Sequence, residues 1–200
     1  SSTYGDSKEL PKTEENIGKP LSPYAITKYV NELYAEIFNK SYNLNYIGLR
    51  YFNVFGKNQD PNGAYAAVIP KFIKLLINNE SPVINGDGSF SRDFTYIKNV
   101  ILMNFLAIQT ENLKAINQIY NTACGERTNL NDLLKILKLN LSKYNHNISA
   151  IKNINAPARK GDVDHSLASI SKAKNLLGYT PSHNIKDGLS QAIDWYWKNL

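Results

Sequence analysis

Tyr24 and Lys28, in the run Ser22-Pro23-Tyr24-Ala25-Ile26-Thr27-Lys28, form a Tyr-x-x-x-Lys pair. Four-residue spacing puts both side chains on one helical face. A phenol, with a reference pKa of about 10, is a poor base at neutral pH, but a neighbouring ammonium favours the phenolate. A tyrosine so placed can exchange a proton with a sugar hydroxyl. The same spacing describes an ordinary solvated helix, so the pair acquires meaning only from its company in the chain. Other reactive types are sparse. Cys124 is the only cysteine, which excludes an intrachain disulfide or a multi-cysteine metal site. Its apolar setting, Tyr120-Asn121-Thr122-Ala123, favours a buried thiol. His146, His165 and His183 are scattered without metal-binding spacing, so no metal is expected.

The pair needs a helix to hold it, and the sequence supplies one. From Pro23 to about Tyr42 the residues Tyr24, Ile26, Val30, Leu33, Tyr34, Ile37 and Phe38 recur at helical spacing, with Ser22 as N-cap and Pro23 in the first turn. Tyr46 to Phe52 then reads as a β-prone run, the strand of an alternating α/β sheet. A loop over Gly56 to Gly63 leads into a helix over about Ala66 to Leu76, with Pro70 near its first turn. Further strands are predicted at Pro82 to Ile84, Asp93 to Ile97 and Gln118 to Ala123. Further helices are predicted from about Lys98 to Thr110, after Thr128, from Ser171 to Leu177 ending at Gly178, and from Ile185 to Leu200. No internal repeat or low-complexity linker interrupts them.

Composition fits a globular chain with one core: 200 residues, 42% hydrophobic and 20% charged. The balance of 23 basic against 17 acidic residues gives a formal charge of +6, which suits an anionic small molecule such as a nucleotide diphosphate, although surface lysines account for much of it. No basic run interleaved with stacking aromatics points to nucleic acid. No apolar stretch reaches the roughly 20 residues of a membrane span, and the polar start is unlike a signal peptide, so a cytoplasmic protein is expected.

Five motifs follow one another: Ser1-Ser2-Thr3-Tyr4-Gly5, Tyr24-x-x-x-Lys28, Arg50-Tyr51-Phe52-Asn53-Val54-Phe55-Gly56, Arg92-Asp93-Phe94, and Arg159-Lys160-Gly161-Asp162. In that order, with the tail Ser171 to Pro181, they resemble the extended short-chain dehydrogenase/reductases that act on nucleotide sugars. Within that family the chain looks most similar to bacterial UDP-N-acetylglucosamine 4-epimerases of surface-polysaccharide synthesis. The resemblance implies an α/β fold: the C-terminal part of a Rossmann-like, doubly wound parallel sheet. A small substrate-binding lobe would draw on about 57–98 and 150–200. It also implies NAD as cofactor, a UDP-sugar as substrate and a homodimer formed through the helix carrying Tyr24 and Lys28.

By match to the family motifs, Tyr24 would be the acid/base and Lys28 would bind the nicotinamide ribose and lower the tyrosine pKa. A shift of roughly three units corresponds to about 4 kcal/mol of phenolate stabilisation. Ser1 and Ser2 resemble the family's substrate-side serines, although the usual catalytic hydroxyl falls one position before Ser1. Relatives that eliminate water carry acidic residues where this chain has Ser1 and Ser2, which favours epimerisation here. Tyr51 would face the nicotinamide and Asn53 the substrate. Ala67, Val68, Val83 and Asn85 match positions flanking uracil. Arg92 and Arg159 match diphosphate-binding arginines, whose planar guanidinium can make two parallel hydrogen bonds. Asp162 would accept from the ribose hydroxyls, and small Ser166 would leave room for an acetamido group. Each has a plainer reading as core, turn or surface.

None of the 11 glycines forms the Gly-x-x-Gly-x-x-Gly turn that seats a pyrophosphate on a helix N-terminus. The chain is therefore expected to correspond to the C-terminal portion of such an enzyme, beginning within the strand of the catalytic serines, with strand edges that limit its solubility. Two alternatives stay open at this point: a non-catalytic remnant that binds a nucleotide sugar or a partner, and a UDP-glucose or UDP-uronate 4-epimerase.

Overall fold

The structure, a computed structural model, describes residues 1–62, 67–158 and 163–200. Helix α1 spans Pro23–Tyr42. Ser22 starts it, its Oγ accepting from the Ala25 N–H at 3.1 Å, and Asn43 ends it in the left-handed conformation at φ 55°. In chain order there follow β1 (Ile47–Tyr51), β2 (Val54–Phe55), α2 (Val68–Ile77), β3 (Val83–Asn85), β4 (Ser91–Arg92) and β5 (Thr95–Tyr96). Then come α3 (Ile97–Gln109), β6 (Gln118–Thr122), β7 (Thr128–Asn129), α4 (Leu130–Leu141), β8 (Ile154–Ala156), α5 (Ser171–Leu177) and α6 (Ile185–Asn199).

The pairings are mostly parallel, as an alternating α/β chain requires. β1 lies parallel to β6 with Ile47 opposite Gln118 and Tyr51 opposite Thr122. β2 pairs parallel with β5, and β3 with β8. β4 and β7 pair antiparallel. The β3–β8 pair, together with a bridge between Ser91 and His165, ties residues of 57–98 to residues of 150–200. The fold is α/β, and no described helix is long and apolar enough to cross a membrane.

The main core lies among α2, α4 and α6, where Phe72, Ile73, Leu76, Leu133, Leu137 and Ile193 are buried. A second cluster joins α3, β6 and α5 through Met103, Tyr120, Ala173 and Leu177. A third, of Tyr4, Phe52, Ala123 and Ala168, underlies the candidate site.

Helix α1 departs from its sequence pattern in how it is seated. Its periodic apolar residues lie outward: Ile26, Leu33 and Ile37 are 52%, 42% and 55% exposed, and Ala25 alone is buried. What fixes it is polar. Arg50 of β1 donates from Nε and Nη2 to the two carboxylate oxygens of Glu32, both at 2.8 Å, with its own side chain 5% exposed. The bidentate fork sets the helix against the strand with a geometry that apolar contact alone does not specify.

Strands differ from expectation at short pairings. The predicted strand over Asp93 to Ile97 is only Thr95–Tyr96, because α3 already begins at Ile97. β7 and β8 were not foreseen from their patterns, since each is paired by a neighbour distant in sequence.

Candidate active site

The Ser22 cap and Pro23 place Tyr24 in the first turn of α1, and the Arg50–Glu32 fork holds the helix two turns further on. Tyr24 is 62% exposed, and the Lys28 ammonium lies over its ring, 5.1 Å from the centroid. Lys28 forms no ion pair with a described carboxylate. The pair opens on a cleft of 390 Å³ whose walls include Ser1, Ser2 and Tyr51.

Those three residues are also the boundary with a second cavity of 420 Å³, where they meet Asn53, Arg92 and Ser166. Tyr51 ends β1, its hydroxyl donating to Asn104 Oδ1 at 3.1 Å. Asn53, at φ 30°, turns the chain between β1 and β2 and donates from Nδ2 to the Asp93 carbonyl at 3.2 Å. A third cavity, of 290 Å³, continues past Asn53 and Arg92 and is lined by Ala67, Val68, Val83 and Asn85. Arg92 stands where the two meet, anchored from Nη1 to the carbonyls of Ser91 at 3.0 Å and Asp164 at 3.1 Å.

The expected site residues are thus brought to one connected series of clefts. Tyr24 and Lys28 line its open end, Ser1, Ser2, Tyr51 and Ser166 its middle, and Ala67, Val68, Val83 and Asn85 its far end. Arg159 and Asp162 lie outside the described residues. A 290 to 420 Å³ chamber is of the size that small ligands occupy, and this series runs from titratable groups through an arginine to a largely apolar slot. Such a sequence of surfaces suits a molecule with a reacting hydroxyl, an anionic middle and a flat heteroaromatic end.

Several residues that hold the site together were not singled out in the sequence. Asp93, fully buried, accepts from the N–H groups of Cys124 at 2.9 Å, Gly125 at 3.0 Å and Ala168 at 3.3 Å. It thereby locks the end of β6 to the segment bearing Ser166. Burial pushes its carboxyl up to about 6, against the pull of these donors. Beneath Ser1 and Ser2, Tyr4 donates to Asn121 Oδ1 at 2.5 Å and is covered by the Arg50 guanidinium 4.9 Å from its ring. Burial raises the Tyr4 hydroxyl to about 12, so it stays neutral as a donor. Position in the Arg92-Asp93-Phe94 motif was the only sequence signal for Asp93, and Tyr4 and Arg50 likewise stood inside motifs without a role.

Comparison with known proteins bears on the same residues. A family model described as the NAD dependent epimerase/dehydratase family matches residues 1–123. Among curated proteins, a putative UDP-glucose 4-epimerase of Methanocaldococcus jannaschii is 36% identical over 196 residues, covering 98% of this chain and 60% of the relative. Among solved structures, the UDP-N-acetylglucosamine 4-epimerase of Methanobrevibacter ruminantium, in complex with UDP-N-acetylmuramic acid, superposes with a TM-score of 0.91 at 39% identity. It is covered over 61% of its length by all of this chain. A UDP-glucuronic acid 4-epimerase from Bacillus cereus, in complex with UDP-glucuronic acid and NAD, gives a TM-score of 0.84 at 29% identity, with 100% of this chain and 60% of that one covered. The chain therefore spans about three-fifths of the length of each of these three. The family model takes in α1 with Tyr24 and Lys28, the Arg50 strand and the Arg92-Asp93-Phe94 motif, so by both matched span and architecture this chain belongs to the NAD dependent epimerase/dehydratase family.

Proposed function

We propose that the chain is the acid/base and substrate-binding portion of an NAD-dependent UDP-hexosamine 4-epimerase, acting on UDP-GlcNAc and UDP-GalNAc. The observation that carries this reading is the continuity of the clefts, from Tyr24 and Lys28 through Ser1, Ser2 and Ser166 to Arg92 and the slot at Val83 and Asn85. Tyr24 would take the proton of the sugar hydroxyl and give it back. Lys28, its ammonium close to the ring, would favour the phenolate and donate to the cofactor ribose. Ser1 and Ser2 would hydrogen-bond the sugar, and Tyr51 would close the cofactor side. Asn53 and Arg92 would hold phosphate and sugar, with Ala67, Val68, Val83 and Asn85 around the base. Arg159 and Asp162 keep their assigned roles toward diphosphate and ribose. Small Ser166 on the sugar cavity favours an acetamido sugar over plain hexoses.

The residues present fit one end of NAD: the open 390 Å³ cleft presents Tyr24 and Lys28, whereas the glycine-rich pyrophosphate turn is not in the sequence. The chemistry supplied by NAD when bound is hydride acceptance and return at the sugar carbon. A cytoplasmic homodimer through α1 belongs to the same reading, supported by the outward Ile26, Leu33 and Ile37.

The test is to purify the chain, assay bound NAD, and follow interconversion of UDP-GlcNAc and UDP-GalNAc. Tyr24→Phe should keep UDP-sugar binding and lose about 10²- to 10⁴-fold in turnover, the range of general acid–base catalysis. Unchanged turnover in that variant would refute the assignment. A second reading, a nucleotide-sugar-binding module without turnover, takes the same clefts as a binding surface alone. Binding of UDP-sugar with neither NAD nor turnover would establish it.

A further inference from the structure

Ser91 and His165 form a side-chain pair just behind the wall of the 420 Å³ cavity. Ser91 is 5% exposed, and its Oγ lies 2.9 Å from His165 Nδ1. Among the described residues, the same serine makes both backbone bonds that hold residues 164–166 to β4. Its N–H donates to the Asp164 carbonyl at 3.0 Å, and its carbonyl accepts from the Ser166 N–H at 3.0 Å. On its other side Ser91 faces Asn129 of β7. Leu167 and Ala168, next along the chain, are tied elsewhere, to the Lys12 N–H and the Asp93 carboxylate. The placement of 164–166 therefore depends on Ser91.

Two residues proposed to meet the ligand share these fixings. Arg92 Nη1 donates to the carbonyls of Ser91 and Asp164, so the Ser91 carbonyl receives Arg92 and the Ser166 N–H together. Arg92 and Ser166 both line the 420 Å³ cavity. Ser91 lines neither of the cavities that meet at Arg92, and His165 faces an outer cleft of 400 Å³ beside Asp6, Lys8 and Asp164. Such a pair acts on the cavity only through the residues it holds. Two backbone bonds made by one residue leave the bonded segment free to roll about the line joining them. The Oγ–Nδ1 bond lies off that line and removes the rotation. A hydroxyl both donates and accepts, so the bond forms with either neutral tautomer of the imidazole.

We propose that Ser91 and His165 are a positioning pair that fixes the separation between Arg92 and Ser166, and so sets the affinity for the sugar and diphosphate parts of the ligand but not for its base. This rests on reading the clefts as a UDP-sugar site. The slot at Val83 and Asn85 belongs to β3, which the pair does not touch. Loss of the Oγ–Nδ1 bond lets 164–166 roll on β4, withdrawing the Asp164 carbonyl from Arg92 and turning Ser166 from the cavity.

Titration calorimetry of the full chain with UDP-GlcNAc, and NMR titration with uridine, read the two parts separately. Ser91→Ala and His165→Phe should each weaken UDP-GlcNAc about fivefold or more, within the range of one hydrogen bond, and leave uridine within about twofold. The double variant should lose no more than either single, because both remove the same bond. His165→Asn, whose amide sits where Nδ1 was, should restore UDP-GlcNAc binding to within about twofold. His165→Gln, whose amide sits at the Nε2 position, should not. Unchanged UDP-GlcNAc affinity in the single variants, a loss shared equally by uridine, losses that add in the double variant, or equal rescue by His165→Gln and His165→Asn would each overturn the proposal while leaving the UDP-sugar reading intact. Absence of binding by UDP and by UDP-GlcNAc in the unaltered chain would overturn both. Should His165→Phe fail to fold, Ser91→Ala with His165→Asn and His165→Gln decides the matter.

Discussion

Replacing Glu32 by leucine tests whether polar geometry rather than apolar contact seats the helix that carries Tyr24 and Lys28. In the native structure the Glu32 carboxylate receives two Arg50 hydrogen bonds of 2.8 Å, and the side chains are 16% and 5% exposed. Burial works against the Arg50 charge, and the Glu32 carboxylate together with the Tyr4 side chain more than offsets it, so the guanidinium is held above its ordinary pKa. Removing one partner of a buried pair costs about 3–5 kcal/mol. Arg50 would keep the Glu14 carbonyl at 2.9 Å and the Tyr4 ring, so the lower end applies and Glu32→Leu should cost about 3 kcal/mol. Arg50→Met combined with Glu32→Leu removes both charges at similar volume and should return to within about 1 kcal/mol of wild type. The coupling between the two sites is then about 2 kcal/mol or more. Urea unfolding followed by Trp195 and Trp197 fluorescence and by circular dichroism gives the free energies. Amide exchange along α1 should also quicken in Glu32→Leu. A Glu32→Leu cost below about 1 kcal/mol, or a double variant that merely sums the singles, would refute the reasoning.

Three further outcomes follow from the same contacts. Ser166→Tyr should fill the 420 Å³ cavity proposed for the sugar, weakening UDP-GlcNAc by about tenfold or more while UDP binding stays within about twofold, read by calorimetry; unchanged UDP-GlcNAc affinity would refute a size-selecting role for Ser166. Asp93, with a folded-state pKa of about 6 against 3.8 for the free side chain, binds more protons folded than unfolded between those values. Its contribution to stability therefore falls as pH rises through that window, and carboxyl-carbon NMR should place its midpoint near 6; a midpoint at 4 or below would contradict the burial argument. Gly188 of α6 has no room for a methyl group, since an added Cβ would meet Phe55 Cζ and Tyr96 Cγ at 2.7 Å, both on rigid rings. Gly188→Ala should destabilise by about 1–3 kcal/mol despite its better helix propensity, as chemical denaturation would show.

What could be read from the chain were its local signals. Ser22, Pro23 and the left-handed Asn43 or Gly178 act within a few residues, and the helices they bound lie where periodicity puts them. The run at Ile47–Tyr51 was legible for the same reason. Pairing was not. β3 finds β8 some seventy positions on, and Lys12 finds Ala168, through backbone groups that leave no trace in side-chain pattern. The candidate site divides in the same way. Tyr24, Lys28 and Arg92 stood in motifs of fixed spacing, while the roles of Asp93 and Tyr4 come from burial among distant segments. Helix α1 shows the cost of reading periodicity as burial: its apolar row marked a helix but did not mark the side that packs.

The Arg50–Glu32 fork also divides one carboxylate between two rival cations. Glu32 lies four residues after Lys28 on α1, the spacing at which a glutamate and a lysine on one helix pair readily. Arg50 engages both of its oxygens in a bidentate fork, and the Lys28 ammonium rests on the Tyr24 ring instead. Arg50 thus acts as a decoy for the nearest acid. Without it, Glu32 would be released at pairing distance from Lys28 along the helix, so the fork in the wall of the 390 Å³ cleft sets which cation the glutamate serves.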